Sequence, residues 1–280
     1  EKKIPMETFF SGSIQISADE SFRPVIDEQL KVFISQHPDA HIKVNYKPEA
    51  DCLRDLDSDS TRMVIVTRGL SDTELSDYKR MLTYAPSFGI IAWDAIAVVT
   101  NKRSPDSIFT MTDLRSIAAG GQKYKVVLDG KSATSTVRYA VDSLLRGKPL
   151  GKNIEGASNS SEVINYIAEH TDAIGLVGVS WIGNPDDPEQ QSFLQKVNIA
   201  SLECKGCTAG PYVKPYQANI YSGRYPMVRP LYYILKENFE GLGSGFRNFL
   251  SLEKGQRIFK RAYLLPARMS FEVQNMSITQ

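Results

Sequence analysis

The chain of 280 residues is long enough for two α/β lobes, and its 42% hydrophobic and 23% charged residues are typical of a folded, soluble protein. Its 33 Lys and Arg nearly balance its 32 Asp and Glu, which argues against a nucleic-acid-binding surface, so any selectivity for an anion must be local. No apolar run approaches the roughly 20 residues that span a bilayer.

The first third of the chain alternates short strands and helices. A strand is predicted over 13–16, and a helix follows in which Phe22, Val25, Ile26 and Leu30 recur at helical spacing. Strands over 41–46 and 63–67 flank a short helix over 52–56, and the second strand is continuously apolar, as in a buried parallel sheet. A helix over 71–82 and a pair of strands within 88–100 complete an α/β pattern.

A second α/β cycle follows. It comprises a helix over 112–117, a strand over 124–128, a polar loop over 129–136 and the helix after it, then a helix over 161–169 and a strand over 173–179. The chain returns through 218–225 to a strand over 231–235 and two helices, 244–251 and 255–263. Because both cycles precede this return, we expect one lobe from residues 1–95 and 222–280 and another from 96–221.

Two of the strand–turn–helix junctions carry short hydroxyl side chains. Ser21 and Phe22 stand at the first, and Ser132, Thr134, Ser135 and Thr136 stand at the second. Free N–H groups at a helix start bind anions, and small hydroxyls add donors. The same residue types are ordinary helix caps, so both interpretations remain open at each junction.

Two arginines strengthen the case for an anion. Arg68, with Thr67, directly follows the apolar strand over 63–67, at the carboxyl end where open α/β sheets bind ligands. Its guanidinium can bind two oxyanion oxygens at once. Arg138 lies one turn into the second helix and can add a second positive charge, although helix-surface arginines are often only solvated.

Asp94 lies within the apolar run 90–99, where an unpartnered carboxylate would be costly. It therefore needs a donor, either from the backbone or an arginine, or from a ligand that carries a proton. The second alternative would favour phosphate, which is protonated at neutral pH, over sulfate, which is not.

Signatures of enzymes and of metal sites are missing from the sequence. There is no G-x-S-x-G, P-loop, G-x-G-x-x-G or H-E-x-x-H motif, so no catalytic residue or cofactor is expected. Cys204 and Cys207 form a C-x-x-C pair without nearby His, which leaves a local disulfide and two free thiols as alternatives, and no metal is expected.

Several segments, taken in order and spacing, resemble the substrate-binding proteins of high-affinity phosphate ABC transporters, in a form similar to the lipoprotein-type members of Bacteroidetes. The resemblance covers nearly the whole chain. The matching segments lie at 18–24 (Ala-Asp-Glu-Ser-Phe-Arg-Pro), 66–70 (Val-Thr-Arg-Gly-Leu), 93–101, 132–138, 172–178, 225–232 and 254–258.

This resemblance implies a two-lobed type II periplasmic-binding-protein fold, with two crossover strands and phosphate bound in the cleft. It maps Ser21, the Phe22 amide, Thr67, Arg68 and the hydroxyls of 132–136 onto the binding site. Many relatives have an Arg shortly before a Ser-Gly-Thr at the second helix, whereas here 127–131 is Val-Leu-Asp-Gly-Lys. The hydroxyl register is therefore ambiguous, and Arg138 is expected to replace the missing Arg.

The expected function is extracytoplasmic phosphate binding and delivery to the permease subunits of an ABC importer. The chain opens with Glu-Lys-Lys, which suggests a mature segment with its export signal removed. We expect a monomer in the periplasm or cell envelope, with a lipid anchor at the removed N-terminus. The alternatives are a phosphate-sensing or scavenging module that signals through a partner, and a receptor for another tetrahedral oxyanion.

Overall fold

The computed structural model describes residues 7–268, except Gln122, Pro185 and Ala209. None of the helices in this part of the chain has the length and apolar character needed to cross a lipid bilayer.

Strands and helices alternate along the chain. The strands are β1 (Gly12–Asp19), β2 (Ala40–Lys47), β3 (Thr61–Val66), β4 (Ser87–Asn101), β5 (Ile108–Phe109), β6 (Lys125–Leu128), β7 (Ile154–Gly156), β8 (Ala173–Gly178), β9 (Val197–Ile199), β10 (Ser201–Glu203), β11 (Tyr212–Val213), β12 (Val228–Leu235) and β13 (Leu265–Pro266). The helices are α1 (Arg23–Gln36), α2 (Glu49–Asp55), α3 (Asp72–Leu82), α4 (Met111–Ala118), α5 (Ser135–Tyr139), α6 (Ser160–Glu169), α7 (Pro188–Lys196), α8 (Gln217–Tyr221), α9 (Leu242–Ser251) and α10 (Glu253–Arg261).

The main sheet has the order β2-β1-β3-β12-β4-β8-β6-β7, with β9 and β13 also pairing with β4. β1 runs parallel to β2 and β3, and β6 runs parallel to β7 and β8. β4 belongs to both parts, because residues 87–95 pair with β12 and residues 96–100 pair with β8. Where the sequence suggested a pair of strands, a single strand of 15 residues joins the two parts of the sheet.

Helices cover the sheet through their apolar faces. Val25, Ile26 and Phe33 of α1 are buried in the same core cluster as Ile16 and Ile65. Pro24 in the first turn of α1 suits a helix start, where its missing N–H costs nothing. In the second part, α6 buries Val163, Ile164 and Ile167 with residues of β4 and β8.

Some elements were not expected from the sequence. β7, β9, β10 and β11 are two or three residues long, and α7 is polar along most of its length. Such segments carry too few apolar residues to show a period, and their pairing partners are distant in the chain.

The topology brings several chain segments to one place. Asp19 ends β1, Thr67 follows β3 and Asp129 follows β6. Each of these strands runs parallel to a neighbour, and each supplies a polar side chain at its carboxyl end. α5 begins a few residues after Asp129, and the first residues of β12 pair with the middle of β4 beside them.

Candidate functional site

Arg229 lies at the centre of the candidate site and is almost fully buried. Its Nε donates to Asp94 Oδ2 at 2.8 Å, and its Nη1 donates to Ser135 Oγ at 2.8 Å. The guanidinium carbon lies 5.0 Å from the centroid of the Phe22 ring. Burial alone would lower the pKa of Arg229, but the carboxylates of Asp94 and Asp19 raise it above its ordinary value, so the side chain carries a fixed positive charge.

Asp94 serves as the partner of this arginine. The residues stand opposite each other in the antiparallel pairing of β4 and β12. Asp94 Oδ1 accepts the backbone N–H of Val179 at 3.2 Å, so both carboxylate oxygens have protein donors. Gly178 allows the backbone to approach the pair, since a Cβ there would stand 3.2 Å from both Arg229 Nη2 and Asp94 Oδ2. Of the donors considered for Asp94 from the sequence, the structure therefore shows an arginine and a backbone N–H.

The hydroxyls of the two junctions meet at Asp129. Ser21 Oγ donates to its Oδ2 at 2.8 Å, Thr136 Oγ1 to the same oxygen at 3.0 Å, and Thr134 Oγ1 to Oδ1 at 2.9 Å. Asp129 is 7% exposed. The two junctions that the sequence singled out therefore converge in space, and a buried carboxylate orients their hydroxyls.

Two buried polar atoms here have no hydrogen-bond partner among the described residues: Asp19 Oδ2 and Arg229 Nη2. Asp19 Oδ1 accepts the N–H of Ser21 at 3.0 Å. Burial raises the pKa of Asp19 to about 7; Arg229 opposes the rise, and the carboxylates of Glu49 and Asp129 add to it. A carboxyl group that titrates near neutrality can either donate or accept a hydrogen bond with a bound oxyanion.

The hydroxyl register of the second junction follows from burial. Thr134, Ser135 and Thr136 are buried, whereas Ser132 is exposed. Between them, Ala133 has a φ of 69°, the left-handed conformation in which a side chain is strained. Residues 134–136 therefore present the hydroxyls that face Arg229 and Asp129.

Thr67 and Arg138 meet at Glu49, a residue that the sequence analysis did not select. Arg138 Nε donates to Glu49 Oε2 at 2.6 Å, and Arg138 Nη2 donates to Thr67 Oγ1 at 2.7 Å. The N–H and hydroxyl of Thr67 both donate to Glu49 Oε1. Burial pushes the pKa of Glu49 upward, but Arg138 and Thr67 outweigh it and hold this pKa below its ordinary value. This cluster joins α2 of the first part of the chain to α5 of the second.

Arg68 lies apart from the Arg229 cluster. Its two terminal nitrogens donate to the carboxylate of Glu74 at 2.7 and 2.8 Å, and it lines a separate surface depression with Leu53 and Tyr78. Arg68 lowers the pKa of Glu74 to about 2. Arg68, which the sequence analysis expected to bind the ligand, is thus already bound by both carboxylate oxygens of Glu74, six residues later in the chain.

The functional residue that sequence reasoning missed is Arg229. The sequence analysis did not select it as a candidate. Its signal was an arginine inside the otherwise apolar segment Val228–Leu235, matched by Asp94 inside another apolar strand. A buried charge in each of two strands indicates an ion pair between them.

The cysteines lie outside this cluster. Cys204 and Cys207 form a disulfide, which selects one of the two alternatives left open by the sequence. Cys52 is a free, buried thiol. Among the residues that the structure describes, no group of three or more His, Cys, Asp or Glu is arranged to hold a metal ion.

Known proteins similar to this chain share most of its length. It is 21% identical over 288 residues to the phosphate-binding protein PstS of Pseudomonas aeruginosa, covering 93% of this chain and 85% of that protein. It is 25% identical over 256 residues to the phosphate-binding protein PstS of Bacillus subtilis, covering 88% and 78%. In structure it resembles a phosphate ABC transporter substrate-binding protein with bound phosphate from Clostridium perfringens, with a TM-score of 0.73, 21% identity, and coverage of 92% and 100%.

These similarities confirm the predicted type II periplasmic-binding-protein fold. The family model described as the PBP superfamily domain matches residues 7–253, and the chain therefore belongs to this superfamily.

Proposed function

We propose that this chain binds inorganic phosphate outside the cytoplasm and delivers it to the permease of an ABC importer. As a transport receptor, it is a binding protein and not an enzyme. The names of its relatives in Pseudomonas and Bacillus support this function, since both are phosphate-binding proteins. The observation that carries the proposal is the buried guanidinium of Arg229, whose Nη2 has no partner among the described residues and which contacts Ser135 and the Phe22 ring.

The proposed binding set is revised from the sequence-based one. It keeps Ser21, the Phe22 amide and the hydroxyls of residues 134–136, and it adds Arg229 and Asp19. Arg229 supplies the charge and N–H donors. The hydroxyls of Ser21, Thr134 and Thr136 donate to Asp129 in this structure, and they become uncharged donors to the anion when they turn toward it. Asp94 orients Arg229, and the cluster of Glu49, Thr67 and Arg138 links α2 to α5.

Asp19 gives this set a reason to prefer phosphate. Its unpartnered oxygen, when ionised, can accept a hydrogen bond from a protonated phosphate, whereas sulfate at neutral pH has no hydrogen to donate and is repelled by the ionised form of Asp19. The charged groups nearest the proposed anion site are therefore the buried guanidinium of Arg229 and two carboxyl groups, Asp129 and Asp19, and the pKa of Asp19 is raised to about 7.

The proposal includes the division into lobes expected from the sequence, with residues 1–95 and 222–280 in one lobe and 96–221 in the other. The change of pairing partners within β4, at residues 95 and 96, supports this boundary.

The proposal also includes a monomeric state, which light scattering tests, and a lipid-anchored location at the cell envelope, which membrane fractionation of the producing cells tests.

Calorimetric titration of the purified protein with phosphate, arsenate and sulfate tests the binding function. Phosphate and arsenate are expected to bind with similar affinity, because their shape and protonation are similar, and sulfate is expected to bind at least a hundredfold more weakly, about 2.7 kcal/mol. Equal binding of sulfate and phosphate would contradict the selectivity, and no heat with any of the three would contradict the function. Loss of phosphate uptake on deletion of the gene distinguishes transport from sensing.

A further inference from the structure

A cleft of about 540 Å³ opens beside the proposed oxyanion donors, and Asp19, Asp129 and Thr134 form part of its wall. This volume falls in the range of about 300–1,000 Å³ that organic ligands occupy. The cleft therefore has room for more than the tetrahedral group that Arg229 and the hydroxyls would hold.

The wall of this cleft is strongly acidic. Besides Asp19 and Asp129, it contains five carboxylates that are at least partly exposed: Glu20, Asp27, Glu28, Asp187 and Glu189. They come from both sides of the cleft, since three lie in or just before α1 and two lie at the start of α7. They are spread over two walls and not gathered into a coordination sphere.

The described residues that line the cleft include only two basic ones, Arg23 and Lys47, against seven acidic ones. Lys47 Nζ lies 2.6 Å from Asp55 Oδ2, so it already has a carboxylate partner. The guanidinium carbon of Arg23 lies 4.7 Å from the centroid of the Tyr46 ring. Inorganic phosphate held at the Arg229 end gains nothing from these walls, whereas a positive group attached to it is attracted by both of them.

Two buried groups that line the cleft have polar atoms without a partner among the described residues. Asp19 is 1% exposed and leaves Oδ2 unpaired, and Trp181 is 6% exposed and leaves Nε1 unpaired. Unpaired buried polar atoms are rare, and each needs a partner such as a ligand. Trp181 also gives the cleft an aromatic ring, and aromatic rings attract organic ammonium groups.

We propose that this cleft takes a phosphoryl or phosphonyl group that carries a short cationic arm, such as an aminoalkylphosphonate. The proposal rests on the proposed phosphate-binding function, because the same Arg229 end of the site holds the oxyanion. The arm extends between α1 and the start of α7, where its ammonium group faces the exposed carboxylates and Trp181. The negative phosphonyl group then lies at Arg229, and the positive ammonium group lies between the acidic walls.

Calorimetry with three probes tests the inference: inorganic phosphate, 2-aminoethylphosphonate and n-propylphosphonate. The two phosphonates have arms of equal length, and only 2-aminoethylphosphonate has an ammonium group. We expect 2-aminoethylphosphonate to bind at least tenfold more tightly than n-propylphosphonate. Two outcomes would overturn this inference and leave the proposed function intact. In one, the protein binds phosphate and binds both phosphonates with equal affinity; in the other, it binds phosphate and neither phosphonate. Absence of phosphate binding would instead overturn the proposed function.

A double variant, Glu20→Gln with Glu189→Gln, neutralises one carboxylate on each wall without changing side-chain size. The preference for the ammonium arm should fall at least threefold, while phosphate binds no more weakly than before, because repulsion has been removed. Glu253→Gln on the exposed face of α10 is the matched control and should leave all three affinities unchanged. A preference that survives in the double variant would show that the walls do not recognise the arm.

Discussion

Arg229 and Asp94 stand directly opposite each other on β12 and β4, and their side chains form an ion pair in which neither residue is more than 3% exposed. Because the pair fixes Nε, the outer edge of the guanidinium is directed at Ser135 and Thr136. The Asp94 carboxylate thus occupies Nε and leaves the two terminal nitrogens of Arg229 on the side of an anion.

Replacement of Arg229 by Lys is expected to weaken phosphate binding at least a hundredfold. A lysine ammonium cannot pair with Asp94 and also present a second, rigidly placed donor to the ligand. Calorimetry gives the affinity, and thermal unfolding checks that the variant is folded. Arg257→Lys on the surface of α10 is the control and should bind normally. Full affinity in Arg229→Lys would remove Arg229 from the proposed site.

Arg68→Ala is expected to leave phosphate affinity within about threefold of the wild type, a change of roughly 0.6 kcal/mol. Its guanidinium is already bound by both oxygens of Glu74 and lines another depression. The sequence analysis placed Arg68 in the binding site, from which a large loss of affinity would follow. If calorimetry shows such a loss, Arg68 must leave Glu74 to reach the ligand, and the assignment made from the structure is wrong.

Asp19→Asn is expected to change the pH dependence of stability. The pKa of Asp19 is raised from 3.8 to about 7, so the folded protein holds a proton that the unfolded chain has lost over that interval. The wild type should therefore lose stability as pH rises from about 4 to 7, by up to about 4 kcal/mol, while the Asn variant does not.

Urea unfolding at several pH values measures the difference for Asp19. The variant should gain stability relative to the wild type with rising pH, and the gain should level off above pH 7. Parallel curves for the two proteins between pH 4 and 8 would mean that Asp19 is already ionised in the folded state.

Arg138→Ala is expected to destabilise the protein at neutral pH, because Glu49 then lies buried without its cation. The side chain of Arg138 is 37% exposed, and screening by solvent reduces the cost to roughly 1–3 kcal/mol, below that of a fully buried pair. The folded pKa of Glu49 is depressed, so the stabilisation is present above its unfolded pKa and is lost as pH falls through the folded pKa.

The difference between wild type and Arg138→Ala should therefore shrink below about pH 4, as measured by denaturant unfolding. The double variant Glu49→Gln with Arg138→Met is the control, since it removes both charges, and it should cost less than the single change. A loss that is the same at every pH would assign the effect to packing.

Ala133→Gly is expected to stabilise the protein by roughly 0.5–1 kcal/mol, because glycine adopts a positive φ without strain. Ala140, a few residues later, has a φ of −61° in the following helical turn, and Ala140→Gly should destabilise by about 1 kcal/mol or more. Thermal unfolding of both variants provides the comparison. Two shifts of the same sign would contradict the role of backbone conformation.

The sequence was informative where side-chain chemistry and local pattern coincide. Ser21 and the hydroxyls of 134–136 could be selected because strand, turn and helix signals surround them. Arg229 could not, since its importance depends on Asp94, which is 135 residues away and is paired through strand register. Arg68 was selected for its place after β3, and only the structure reveals that Glu74 binds it.

β4 contributes to two cores at once, and its residues 95–99 are all fully buried. Unfolding either part of the sheet alone would expose one half of this strand to water while the other half remained paired. The two parts should therefore unfold in one cooperative transition. In hydrogen exchange, the amides in the middle of β4 should open only with the whole molecule, and their protection then measures its global stability.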